Sequence, residues 1–120
     1  MSSSGMLLVY NYESVEGYKM SIKDLTREEI KAGLQDNSIL VIDVREPHEF
    51  AAGHIPGSVS HPLSSFDPSG LPEGRRIVFS CAAGVRSIRA IEFAQAAGRD
   101  IREHYKGGFK DWAAAGEPVE

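Results

Sequence analysis

A single stretch of this sequence has the residue types for covalent chemistry. It is Cys81-Ala82-Ala83-Gly84-Val85-Arg86, followed at once by Ser87. Cys81 is the only cysteine in the chain, so no internal disulfide can claim it. The apolar run Ile77-Val78-Phe79-Ser80 leads into the stretch, and a helical pattern from Ser87 to Ala97 leads out. A short loop between a strand and a helix N-terminus points several unpaired N–H groups at one spot and makes an anion-binding nest. Ala82 and Ala83 are small enough for close backbone approach, and Gly84 permits a turn with positive φ. Arg86 adds a planar cation suited to oxyanions, and Ser87 is a residue type that caps helices.

The same cradle would stabilise a thiolate at Cys81, because a helix N-terminus and a nearby cation both favour the charged form. The loop holds no histidine or lysine, so no general base is evident and the cradle itself must make the thiolate. A packing role is the competing reading, since a lone cysteine is commonly a buried small hydrophobe. The small residues, glycine, arginine and serine that follow favour the nucleophile.

Other candidates are weaker. Arg45 follows an apolar run and is open to two roles, an ion pair with a nearby carboxylate or an anion binder. Asp43 would orient Arg45 or accept nearby N–H groups rather than act as a general acid, and Glu49 reads as a bracing charge. His48, His54, His61 and His104 are scattered without metal-ligand spacing, so neither a metal nor any other cofactor is expected. Trp112 and Phe109 read as packing for a last helix.

The elements around these residues alternate. A strand over 18–25 precedes a capping box, Thr26-Arg27-Glu28-Glu29, and a helix ending near Gln35. Ile39–Ile42 is an unbroken apolar run of the kind buried on both faces of a parallel sheet. Pro47 opens a short helix through Ala52, and Gly53–Gly57 is turn chemistry. Ser58–His61 reads as a short strand, Ser64–Gly74 as loop and Ile101–Tyr105 as a weaker strand. Gly107-Gly108 turns into a helix over Phe109–Ala115. This order predicts an α/β sandwich with a mostly parallel sheet, in which ligands sit beyond the carboxyl ends of strands.

The 120 residues suit one compact domain, expected over 19–120 behind an N-terminal extension of residues 1–18. Met1–Gly5 reads as disordered, and Leu7–Tyr12 as either an extra strand or a surface segment. A net charge of −4 argues against a general nucleic-acid binder and requires a local positive site for any small anion. No run approaches the length of a membrane span, and Met6–Val9 is too short for a signal-peptide core, so a cytoplasmic location without membrane partners is expected.

Taken together, the motifs resemble the rhodanese family. The loop is similar to its Cys-x-x-Gly-x-Arg-Ser form. The upstream Asp43-Val-Arg45-Glu-Pro-His-Glu49-Phe50, with Gly53-His54-Ile55-Pro56-Gly57-Ser58, is similar to its first signature. Gly107-Gly-Phe-Lys-Asp-Trp112 resembles its closing motif. The resemblance implies a five-stranded, mostly parallel sheet with helices on both faces. It implies that Cys81 carries a sulfane sulfur as a persulfide, held by the amides of the loop from Ala82 to Ser87. It matches Arg45 to an arginine that helps bind thiosulfate in some members. The implied partners are a small sulfur-donor anion and a thiol or cyanide acceptor, with a protein sulfur acceptor as a further option.

Two rival readings remain at this stage. One is a non-enzymatic sulfur-carrier or docking module, which shares every motif. The other is a phosphatase or arsenate reductase, whose anion loop is one residue longer than the span from Cys81 to Arg86.

Overall fold

The computed structural model describes residues 21–120. Expectations for Met1–Gly5, Leu7–Tyr12 and the start of the first strand fall outside these residues. Five strands form one sheet: β1 (Lys23–Leu25), β2 (Leu40–Asp43), β3 (Val59–Ser60), β4 (Ile77–Ser80) and β5 (Glu103–Tyr105). Their order is β1-β5-β4-β2-β3, and every pairing is parallel. Among the described residues three helices lie between strands, α1 (Arg27–Gln35), α2 (Pro47–Ala52) and α3 (Arg86–Ala96), and α4 (Gly108–Ala114) follows β5.

Alternation along the strands divides the core into two layers. Val41 pairs in register with Val78, and Ile42 with Phe79. Val41 and Val78 join Leu25, Ile30, Tyr105 and Trp112, packing α1 and α4 on one face. Ile42 and Phe79 join Ala90, Ile91 and Ala94, packing α3 on the other. Both central strands are therefore covered on both sides, which explains their unbroken apolar runs.

Local signals set most boundaries. Thr26 accepts a bond from the Glu29 amide while the Glu29 carboxylate accepts one from the Thr26 amide at 2.8 Å, closing the capping box of α1. The departures from expectation are small. β2 runs one residue later than Ile39–Ile42, β3 shrinks to two residues, and β5 begins at Glu103 rather than Ile101. The segment expected as plain loop contains two 3₁₀ turns, Leu63–Ser65 and Pro68–Gly70. Among the described residues no helix is long and apolar enough to cross a membrane.

β4 lies between β2 and β5, so the carboxyl ends of all three strands open at one edge. Cys81 follows β4, Val44-Arg45 follows β2, and Lys106-Gly107 follows β5. The three motifs, scattered along the chain, meet there.

Candidate active site

Cys81 lies at the bottom of the loop, 1 % exposed. Its Sγ accepts hydrogen bonds from the amides of Gly84 at 3.2 Å and Ser87 at 3.3 Å. The sulfur thus takes the place of a cap at the start of α3, where the backbone residue Val85 offers none. Ser87 Oγ lies 3.5 Å from the sulfur. Burial disfavours the thiolate, yet the Ser87 hydroxyl and the amides of Ser87, Ala83 and Gly84 outweigh it. The thiol is left below its ordinary value. The sulfur does touch the apolar cluster around Ile42 and Phe79, but its other side faces turned-in amides.

The closing Gly-Gly motif orients the first two peptides of the loop. The amide of Phe109 donates to the Cys81 carbonyl at 2.8 Å, and that of Lys110 to the Ala82 carbonyl at 3.0 Å. In a trans peptide the N–H lies opposite the C=O, so anchoring two carbonyls on α4 turns the N–H groups of Ala82 and Ala83 the other way. Contact with α4 is close because Gly108 has no side chain. A Cβ there would lie 2.5 Å from the Cys81 and Ala82 carbonyl oxygens, and its φ of +66° suits glycine. Gly84 is constrained in the same way, with φ +87° and a would-be Cβ 2.5 Å from the Lys106 carbonyl oxygen.

Arg86 is the first residue of α3, and its fork is engaged. It donates to Glu49 of α2 at 2.7 and 3.0 Å, and the pair is about one-third exposed. The guanidinium therefore enters the site already bridged, instead of standing free for an oxyanion. Glu49 is the bracing charge, and Arg86 holds its carboxyl down at about 2. Ala82 is half-buried, and Ala83 and Val85 are exposed at the rim of the loop.

Of the two roles open to Arg45, the structure shows the ion pair. Its side chain is 5 % exposed, its Nε and Nη2 donate to Asp43 at 2.8–3.1 Å, and Nη2 also donates to the Gly53 carbonyl at 2.8 Å. Its guanidinium lies 4.4 Å from the Phe109 ring centroid. A buried charge is costly unless paired, and here the paired guanidinium ties the end of β2 to α2 and α4. One expectation needs correction: Ser87 is not the cap of α3. The helix starts one residue earlier, and the Ser87 hydroxyl turns inward.

That hydroxyl leads to a residue the sequence reading passed over. Ser87 Oγ lies 2.7 Å from Nδ1 of His104, which is 1 % exposed, and Nε2 of His104 lies 2.8 Å from Oδ1 of Asp24. His104 sits on β5 and Asp24 on β1, in register with each other. A histidine in a weak strand, far from the cysteine in sequence, carries no local signal. His54 braces its turn, stacked on Phe50 with Nδ1 2.9 Å from the Phe50 carbonyl oxygen. Among the described residues no cluster of metal-ligating side chains occurs.

Known proteins share this sequence pattern and fold. An uncharacterized protein of Synechocystis is 40 % identical over 71 % of this chain, and the chain spans about half (49 %) of that protein's length. The thiosulfate:glutathione sulfurtransferase of Saccharomyces cerevisiae is 30 % identical, with 88 % of this chain and 84 % of that protein aligned. A crystal structure of a rhodanese-related protein from Thermoplasma volcanium superposes with a TM-score of 0.73 at 29 % identity, covering 82 % of this chain and 97 % of that one. Residues 26–115, from the cap of α1 to the end of α4, match the rhodanese-like domain, and the chain belongs to that family.

Proposed function

We propose that this protein is a sulfurtransferase that carries a sulfane sulfur on Cys81. The observation that carries the reading is the sulfur's position, accepting hydrogen bonds from the backbone amides of Gly84 and Ser87 at the start of a helix, with the Ala83 amide also favouring its charged form. Such a cradle holds negative charge on sulfur without a neighbouring cation. This matters because the Arg86 charge is shared with Glu49.

The reaction is double displacement. A donor such as thiosulfate docks its anionic end over the rim amides. The Cys81 thiolate attacks the outer sulfur, the donor S–S bond breaks, and sulfite leaves with the bonding pair. The new Cys81 persulfide keeps its negative charge in the cradle. A second nucleophile, cyanide or a thiol, then attacks the outer sulfur and regenerates the thiolate. The yeast relative names thiosulfate and a thiol as its own reactants, which supports the same classes here. An open cleft lined by Thr26, Arg27, Ala83 and Lys106 adjoins the loop and offers room for a thiol acceptor.

Incubation with thiosulfate should add about 32 Da to the protein, one sulfur atom, and cyanide should discharge it as thiocyanate. Cys81→Ser should abolish both. Thiocyanate production unchanged in that variant would end the proposal. A persulfide that forms but passes only to a protein acceptor would instead mark a carrier.

A further inference from the structure

The loop itself has no base, yet a complete hydrogen-bonded chain leaves Cys81 in the other direction. It runs from Cys81 Sγ to Ser87 Oγ (3.5 Å), on to His104 Nδ1 (2.7 Å), and from His104 Nε2 to Asp24 Oδ1 (2.8 Å). Four residues from four places in the chain supply it: the end of β4, the first turn of α3, β5 and β1. Cys81, Ser87 and His104 are each at most 1 % exposed, whereas the Asp24 side chain is half-exposed. An apolar residue at position 104 would fill the space between sheet and helix without the cost of burying an imidazole. A buried polar network is tolerated only when every member is bonded, as here.

We propose that His104 takes up the Cys81 proton through the Ser87 hydroxyl, with Asp24 holding the imidazole in the accepting tautomer. This inference rests on the sulfur-transfer reading of the loop. An ionised carboxylate can only accept, so Asp24 places the imidazole proton on Nε2 and leaves Nδ1 as an acceptor. The Ser87 hydroxyl then donates to Nδ1 and accepts from the Cys81 thiol. In the transfer, the thiol proton moves to Ser87 Oγ as the hydroxyl proton moves to Nδ1. One S–H bond breaks and one N–H bond forms. The electron pair stays on sulfur, and the regenerated hydroxyl now donates to the thiolate. No redox change occurs. The imidazolium that forms faces the Asp24 carboxylate, and the thiolate faces the loop amides.

The charged groups around the chain fit this assignment. Lys106 reaches Asp24 at 3.8 Å, while Arg86, on the same helix as Ser87, is bridged to Glu49. The strand neighbours of His104 are engaged elsewhere, Glu103 with Arg76 and Tyr105 with Asp111. Phe79, its register partner on β4, is apolar. His104 and Asp24 act through Ser87 and are positioning residues; neither touches the reacting sulfur.

The test is the pH dependence of iodoacetamide alkylation, which reports one thiol because the chain has one cysteine. His104→Asn keeps a donor near Ser87 but cannot take up a proton. Its midpoint should rise by about one pH unit, lowering the thiolate fraction at pH 7 roughly tenfold. Ser87→Ala should raise the midpoint too, and the double variant should go no higher than Ser87→Ala alone. Asp24→Asn, at a half-exposed position that tolerates substitution, should give a smaller rise in the same direction. Melting by circular dichroism verifies the fold of each variant. Should His104→Asn fail to fold, the other two carry the test. Superimposable profiles for Ser87→Ala and Asp24→Asn, or additive shifts in the double variant, would overturn the relay. Alkylation needs no sulfur donor, so the two readings fail separately. Shifted midpoints without sulfur transfer sink the proposed function, and sulfur transfer with unshifted midpoints sinks the relay.

Discussion

Around Cys81, individual side chains divide the electrostatic work. The loop amides and the Ser87 hydroxyl favour the thiolate against burial, and Arg86 is held at the rim by Glu49. This pair has a consequence for stability. The Glu49 carboxyl sits at about 2 in the folded protein against 4.5 ordinarily, so its contribution is complete above pH 4.5 and is lost as pH falls through about 2. Urea unfolding of the native chain should therefore show stability dropping across that window. Glu49→Gln should flatten the drop and, at pH 7, cost about 0.5–1 kcal/mol, the range for a part-exposed pair. An unchanged acid limb in the variant would show that the bridge contributes nothing in solution.

Among the elements, α4 anchors the first two peptides of the loop. Its first amides hold the Cys81 and Ala82 carbonyls, and Gly108 allows the approach. Gly108→Ala would place a methyl group against two carbonyl oxygens at a positive φ. Relieving that contact means turning the loop peptides or moving α4. The variant should lose about 1–3 kcal/mol of stability and alkylate at least tenfold more slowly at pH 7, with its far-UV circular dichroism unchanged. Native thiol reactivity in this variant would show that the amides face inward without help from α4. The Cys-x-x-Gly-x-Arg-Ser and Gly-Gly motifs were both legible in the sequence, and so were the helices and strands around them. That one motif orients the other was not, because the contact joins backbone atoms and leaves no mark in residue type beyond the glycine.

Across the whole molecule, parallel pairing in the order β1-β5-β4-β2-β3 brings three distant motifs to one edge. Fastening the layer of α1 and α4 falls partly to the last residues. Trp112 Nε1 donates to the Pro118 carbonyl at 2.6 Å, Lys31 bridges Glu117 at 2.9 Å, and the backbones of His54 and Glu120 exchange two bonds at 2.9 and 3.0 Å. None of these groups touches Sγ. Deleting residues 117–120 should lower Tm by about 5 °C or more while leaving the alkylation profile of Cys81 in place. A shifted profile would reveal coupling between this end of the chain and the loop.

By itself, the sequence determined the alternation of apolar runs and helical patterns, the capping box of α1 and the family, because each is written in residues close together in the chain. It also marked Cys81 and its loop. Only the tertiary structure decided what the long polar side chains do. Arg45 could have met an anion or a carboxylate, and burial beside Asp43 chose the carboxylate. Arg86 was assigned to Glu49, and His104 to Ser87 and Asp24, across gaps of 37, 17 and 80 residues. Such partners are selected by which strand ends become neighbours and by the cost of leaving a buried donor unpaired. Both are set when the sheet assembles, and neither is encoded in local spacing.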